Sequence, residues 1–352
     1  MSAGLGCCVV VEIDDFEGDY CGAGPVVREA LRSAVSTMIV NHLGADDVTL
    51  VGDPSQIVIR KSTESALKAW IWAEELRQAI CDMSVVTDLH PTEVTVSLGL
   101  SSFGPFAESQ IREAAEALAL AVDLRGNTVC VEPLRTLAAD LAAVRQHPEW
   151  DVEERRHGLL TTMAGRLGPV QWEHVSDHCA RVSRLAAKIA RFCRMETVDI
   201  ERVRIAGLMH DIGKCVVPES LLAKPQVLTS SESCIMAYHE RYGVWIAQQL
   251  GLDPVMIEHI RDHHGRYDAP IAKSIYGEEG RTAQNWESNT LGAAVLCVAD
   301  AVVTMLSTRP YRVARSVGHA LAELRQQRGW QFHPTAVDAA HRIHSIQELA
   351  AA

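Results

Sequence analysis

The sequence predicts two domains of different fold class: an N-terminal α+β domain, an antiparallel sheet with helices, and a C-terminal all-α domain. Three observations lead there. Strand-like and helix-like apolar spacings alternate as far as residue 132. Strand signals then vanish from about residue 134, and nearly every segment from 152 to 345 reads as amphipathic helix. The length, 352 residues, is enough for two cores of ordinary size.

The elements follow in order. CCVVVEI (7–13) is an unbroken apolar run of strand length, and PVVREALRSAVSTMIVNHL (25–43) has helical spacing. DVTLV (47–51) and QIVIR (56–60) read as short strands joined by the turn residues GDPS (52–55). A helix over roughly 62–82, a strand EVTVSLGL (93–100) and a helix ESQIREAAEALALAVDL (108–124) come next. RGN (125–127) turns the chain into a last strand, TVCVE (128–132). This β-α-β-β-α-β-α-β order suggests a mainly antiparallel sheet with helices on one face. The expected organisation is a first domain at 1–133, a helical linker at 134–165 punctuated by Pro148, and a second domain at 166–352.

Composition narrows the function classes. Apolar residues make up 47% and charged residues 22%, as in an ordinary globular protein. No apolar run approaches the length of a membrane span, and the start MSAGLGCCVVVEIDDF lacks a basic region before its acids, so a cytoplasmic location is expected. Ten cysteines without CxxC spacing fit buried thiols better than disulfides or a zinc ribbon. A net charge of −12 argues against duplex DNA as a partner, which needs a basic surface. It leaves room for a small phosphate ligand held by metals or a few cations.

The helical half concentrates histidines and acids: His174, His178, His210, Asp211, His239, His263, His264 and Asp300. His174 and His178, four apart, share a helix face. His210-Asp211 ends VRIAGLMHDIG, where Gly213 is a candidate C-cap. His239 lies in a helix announced by Ser231, and His263-His264 ends another before Gly265. Asp300 interrupts the apolar AAVLCVADAVVTML, a costly place for a carboxylate without a partner or a metal. Imidazoles with carboxylates suit paired divalent transition metals. Adjacent metals can generate hydroxide near neutral pH and stabilise a phosphoryl displacement. Lys214, a turn beyond Asp211, could neutralise charge on that phosphate. A lone histidine is ordinarily a surface or packing residue, and His42, His90, His147, His157, His259, His319, His333, His341 and His344 are left in that class.

The motifs carry a resemblance. HVSDHCARVSRLA, LMHDIGKCVVPESLLAKPQVLTSSE, MAYHERYGVWIAQQL, IRDHHGRYD, VLCVADAVVTMLSTRPYR and FHPTAVDAA, over roughly residues 170–340, resemble the HD-GYP family. The resemblance implies an all-helical metal phosphodiesterase acting on a cyclic dinucleotide, most often cyclic di-GMP, with an iron or manganese centre of two or three ions. It implies the ligands His178, His210, Asp211, His239, His263, His264 and Asp300, with Asp211 bridging the metals. It gives Lys214 the scissile phosphate, and Tyr311 and Arg312 match a Tyr-Arg that follows the last ligand helix. Where trinuclear members have a Glu, this chain has His174, the candidate ligand of a third ion. The family's HHExxDGxGYP is here HHGRYDAPIAKSIYGEE: Asp268 persists as a substrate-side residue, Gly265 replaces the Glu, and no Gly-Tyr-Pro follows. GRTAQNWESNT (280–290) is a candidate replacement for that loop.

The first half resembles a GGDEF domain, the fold that makes cyclic di-GMP. EIDDF (12–16), VTVSLGL (94–100) and RGN (125–127) match its strand and turn motifs. The resemblance is to a degenerate member. At the nucleotide hairpin the chain reads DPSQI (53–57), so Pro54 replaces a glycine, Ser55 and Gln56 replace the acidic pair, and Glu12 remains alone as a metal carboxylate. Synthesis is therefore expected to be absent, and the domain to pack, dimerise, or bind GTP or another nucleotide without turnover. The leading expectation is a bacterial signalling hydrolase of cyclic di-GMP, working as a homodimer. The alternatives are a metal-binding effector with weak or no catalysis, and a hydrolase of another nucleotide such as a hybrid cyclic dinucleotide.

Overall fold

Strand β1 (Leu5–Ile13) is the centre of the first unit, and its residues Cys7 to Val11 are buried on both faces. In this computed structural model, residues 5–16, 24–51, 56–86, 91–124, 126–147, 149–268, 288–308 and 313–343 are described. Contacts divide the chain into two units, Met1–Ala139 with Thr229–Ile235, and Asp140–Leu228 with Met236–Ala352.

In the first unit β1 is followed by α1 (Gly24–His42), β2 (Val48–Val51), β3 (Gln56–Ser62) and α2 (Ala66–Cys81), then β4 (Ser84–Val86) and β5 (Pro91–Glu93). The rest is β6 (Val96–Leu100), β7 (Gly104–Pro105), α3 (Ser109–Asp123) and β8 (Val129–Val131). The sheet order is β2-β3-β1-β6-β8, with β7 pairing β1 and with β4 and β5 forming a separate ribbon. Pairing is antiparallel except between β6 and β8, which run parallel. The short ribbon and β7 were not visible in the apolar pattern, because two or three residues are too few to show a period.

Helices cover both faces of the sheet, not one as the element order suggested. Cys8 and Val10 pack with Ala114 and Leu118 of α3. Alternation puts Val9 and Val11 on the opposite side, where they are equally buried, and α2 is the other helix that meets β1, β6 and β8. Gly99 is what lets α3 come so close: a Cβ there would lie 2.0 Å from the Ala114 carbonyl.

The second unit is helical throughout its described length. α4 (Glu132–Arg145) leads from the sheet into it, followed by α5 (Val152–Met163) and α6 (Pro169–Trp172). A π-helical turn (Glu173–His178) opens α7 (Cys179–Phe192), then come α8 (Thr197–Met209), a 3₁₀ turn (Ile212–Val216) and α9 (Glu219–Leu222). α10 (Ser230–Gln249), α11 (Pro254–Arg261), α12 (Ser288–Leu306), α13 (Val317–Gln326) and α14 (Pro334–His341) complete it. α7, α8, α11 and α12 pack on one another around Val182, Leu185, Ala206, Met209, Ile260, Leu296 and Ala299, all buried. Gly207 makes the α7–α8 crossing close, since a Cβ would meet Ser183 Cα at 2.7 Å.

The local chemistry of the helix ends is readable. Asp151 and Glu154 form a capping box at α5. Thr229 and Glu232 exchange hydrogen bonds at the start of α10, so Thr229 caps that helix and not Ser231. Asp253 accepts from Val255 N–H with Pro254 in the first turn of α11. Gly213 is not a C-cap: α8 ends at Met209 and Gly213 sits inside the 3₁₀ turn. Its smallness serves packing, because a Cβ would fall 2.0 Å from the His239 carbonyl of α10.

The histidines left as packing or surface residues have such roles wherever they are described. His259 is buried with Gly292 of α12 against its ring. His42 and His341 bond carbonyls on their own helices, His147 stacks on Trp150, and His333 caps α14. The described cysteines are free thiols, and no helix among the described residues is long and apolar enough to cross a membrane.

Candidate metal centre

Five segments of the second unit bring their imidazoles and carboxylates together. The π-helical turn places His174 and His178 on the centre, and such turns recur at functional sites. The end of α8 supplies His210 and Asp211, α10 supplies His239, and the turn after α11 supplies His263 and His264. Asp300 comes from α12. His178, His210, Asp211, His239 and His263 are buried, while His264 reaches solvent and the Asp300 side chain is 18% exposed.

These groups form two triads. Ligand atoms of His178, His210 and Asp211 lie within 4.8 Å of one another, and so do those of His239, His263 and His264. Asp211 faces both. Its Oδ2 is 3.7 Å from His178 Nε2 and 3.6 Å from His210 Nε2, and its Oδ1 is 3.5 Å from His239 Nε2. Asp300 Oδ1 lies 3.0 Å from His178 Nε2 and also accepts from Thr304. His174 Nδ1 stands 3.9 Å from Asp211 Oδ2, at the margin of the first triad.

The orientation of the rings is set by the backbone. His210 Nδ1 bonds the Gly207 carbonyl at 2.9 Å, and His239 Nδ1 and His263 Nδ1 bond the Met236 and Ile260 carbonyls at 2.6 Å. Each Nδ1 donates three residues back, which turns the Nε2 atom inward. The Nε2 atoms of His210, His239 and His263, and Asp211 Oδ1, are buried with no hydrogen-bond partner. Orphaned buried acceptors converging on one point are costly unless a cation satisfies them. The donor set therefore fits divalent metal ions.

Electrostatics agree with that reading. Burial opposes ionisation of Asp211, but Lys214, His210, His239 and His178 outweigh it and hold the carboxyl well below the usual range. Burial also opposes ionisation of Asp300, and its bond to His178 overrides it in the same direction. Burial pushes His239 down to about 3, helped by Lys214, and depresses His178 and His263 as well. Those three are neutral ligands in waiting. His210 is the exception: burial alone would lower it, but Asp211 overrides burial and lifts it to about 10. A metal taking its Nε2 displaces that proton.

A family model described as the HD domain matches residues 175–305, the span of His178 to Asp300. Residues 175–305 form an HD domain. Over 193 residues the chain is 32% identical to the cyclic di-GMP phosphodiesterase response regulator RpfG of Xanthomonas campestris pv. campestris, covering 54% of this chain and 48% of that protein. It is 25% identical over 191 residues to 3'3'-cGAMP-specific phosphodiesterase 2 of Vibrio cholerae, covering 53% of this chain and 35% of that protein. The chain thus spans half or less of the length of these curated relatives. Among solved structures, the GGDEF domain of DgcB from Caulobacter crescentus, in complex with c-di-GMP, is similar over 37% of this chain and 79% of that one. The identity is 18% and the TM-score 0.35, too loose a likeness to bear on function.

The HD domain gathers every metal ligand expected from the sequence, with His174 beside them. The substrate-side residues fare differently. Lys214 Nζ rests on Asp211 Oδ2 at 2.7 Å, so its charge serves that carboxylate as well as anything bound beside it. Asp268 is exposed and held in a two-pronged ion pair with Arg266. Tyr311, Arg312 and most of 280–290 lie outside the described residues. Glu240, next to His239, was not anticipated: burial, with Asp262 and Asp211 adding, pushes its carboxyl up to about 8. Nothing in its spacing could have marked it.

In the first unit Glu12 accepts a 2.6 Å hydrogen bond from Gln56. Asp14 is engaged too, accepting from Ser97 Oγ at 2.5 Å and from the Asn127 N–H at 2.7 Å. It thereby pins the left-handed turn at Gly126 and Asn127. The replacements Pro54 and Ser55 lie outside the described residues.

Proposed function

We propose that this chain hydrolyses a phosphodiester bond of a cyclic dinucleotide, with cyclic di-GMP the first candidate, at a centre of two iron or manganese ions. One observation carries the reading: Asp211 stands between two triads with one oxygen toward each. His178, His210, Asp211 and Asp300 would hold one ion, and His239, His263 and His264 the other, with Asp211 shared. When bound, such ions acidify water and offset negative charge on a reacting phosphate. The protein's own part is to keep His178, His239 and His263 neutral by burial and to aim His210, His239 and His263 through the Gly207, Met236 and Ile260 carbonyls. Lys214 adds a cation on the same side as the Asp211 Oδ2. The names of the relatives support the substrate class.

A second reading is favoured by the altered sequence after the double histidine. With Gly265 in place of a Glu and no Gly-Tyr-Pro, a hybrid cyclic dinucleotide is the alternative substrate, and an effector that binds metal without turnover is the limit of that series. Elemental analysis of the full chain, with hydrolysis assays on cyclic di-GMP, 3'3'-cGAMP and cyclic di-AMP, separates these. Two ions per chain and cleavage of at least one cyclic dinucleotide are expected. One ion or none in folded protein would sink the paired centre, and two ions without cleavage would leave the effector.

The first unit is proposed as a spent cyclase that packs, dimerises or senses a nucleotide such as GTP. With Glu12 tied to Gln56, incubation of the full chain with GTP and magnesium should yield no cyclic di-GMP. Robust synthesis abolished by Glu12→Ala would overturn this.

A further inference from the structure

Trp330 keeps its indole 65% exposed on a turn whose backbone is fixed. Gly329, at φ +81°, reverses the chain, and its N–H donates to the Phe332 carbonyl. The Trp330 and Phe332 N–H groups both donate to the Gln327 carbonyl at 3.1 Å. A single exposed apolar side chain usually means nothing. This one differs in what its turn is bonded to.

The Asp268 N–H donates to the Trp330 carbonyl at 2.8 Å, and the Tyr267 N–H to the Gln331 carbonyl at 3.1 Å. Residues 265–268 follow directly on His264, so the strip that leaves the metal centre is stitched to the Trp330 turn. Tyr267 also meets His333 edge-on at 4.9 Å, bracing the junction. At its other end the strip is held to α12, where Cys297 Sγ lies 3.9 Å from the Gly265 carbonyl, one turn before Asp300. Four residues extend at most about 14 Å, so Asp268 stands no further than a nucleotide's own length from His264. Arg266 and Arg328, each paired with an aspartate and each partly exposed, flank the turn. A flat aromatic face with guanidinium groups beside it, on a rigid mount near a phosphate site, suits a purine base.

We propose that Trp330 is the stacking platform for one purine base of the cyclic dinucleotide, an inference that rests on the function proposed above. The turn that carries the platform is bonded to residues 267 and 268 of the strip in which Gly265 stands in place of the Glu, so it also bears on which base is accepted.

The test uses the full metal-loaded chain and the variants Trp330→Ala and Trp330→Phe. Truncating an exposed indole leaves the core intact, and melting temperatures should match. For cyclic di-GMP, Trp330→Ala should raise KM about tenfold, equivalent to about 1.4 kcal/mol, with kcat little changed, and Trp330→Phe should recover part of the loss. GMP should quench tryptophan fluorescence in the wild type and not in Trp330→Phe. Hydrolysis with an unchanged KM in Trp330→Ala, and an unchanged GMP quench in Trp330→Phe, would overturn the platform while leaving the proposed function standing. A quench that depends on Trp330 in a chain that cleaves no cyclic dinucleotide would uphold the platform and sink the proposed function.

Discussion

Asp211→Ala should lose metal and hydrolysis together. The carboxylate is wholly buried, has one oxygen toward His178 and His210 and the other toward His239, and is held ionised against burial by the cations and imidazoles around it. Its removal takes a ligand from each proposed ion and leaves six donors, His178, His210 and Asp300 on one side and His239, His263 and His264 on the other, in two incomplete sets. Changing groups one layer outside a metal site already costs about 10–100-fold in affinity or activity, so losing a shared ligand should exceed 100-fold in both. Elemental analysis should fall from two ions to one or fewer, with turnover falling below detection. Asp211→Asn keeps the volume and guards against misfolding as the cause, and circular dichroism should show both variants helical. Two ions and wild-type turnover in both variants would make the cluster a structural one.

The cluster of candidate ligands was legible in the sequence because histidine and buried aspartate are chemically conspicuous. Asp300 inside an apolar helix announces itself by its desolvation cost, and the pair His263-His264 before a glycine has little packing logic. Spacing predicts which residues are close. It does not predict how the rings turn. The carbonyls of Gly207, Met236 and Ile260 that aim His210, His239 and His263 belong to backbone with no side-chain signature. The π-helical turn at 173–178 was equally hidden, since a segment with helical apolar spacing can close either ring size.

The fold shows the same division. The long strands and helices of the first unit follow their apolar periods, yet burial of β1 on both faces could be read only as an apolar run, which does not say what covers it. Gly213 illustrates a subtler failure. Its place after a histidine-aspartate pair at a helix end looks like a cap, whereas the structure uses its missing side chain to let the His239 carbonyl approach. A glycine's reason for being small lies in a neighbour that is distant in sequence.

Lys214→Ala should keep both ions and still lose about 10²–10³ in turnover, the usual effect of removing one charge aimed at a reacting centre. Lys214 is three residues beyond Asp211 in the 3₁₀ turn, and its Nζ sits 2.7 Å from the carboxylate with the side chain 15% exposed. Two roles compete for that cation. If it only balances Asp211, ions that bind the same carboxylate make it redundant, and the loaded variant turns over at the wild-type rate. If it also faces the phosphate, turnover falls with metal content unchanged. Stability separates the two further. Removing one partner of a buried ion pair costs about 3–5 kcal/mol when nothing replaces it. The variant stripped with a chelator should therefore melt well below the stripped wild type, and loading with manganese should close most of that gap, because the ions then balance Asp211. Lys214→Met, which keeps the stem and loses the charge, should behave as the alanine does. A loaded Lys214→Ala at full turnover would reduce Lys214 to a counter-ion. A loaded variant with both ions, restored stability and turnover down by two orders of magnitude would place its charge on the substrate.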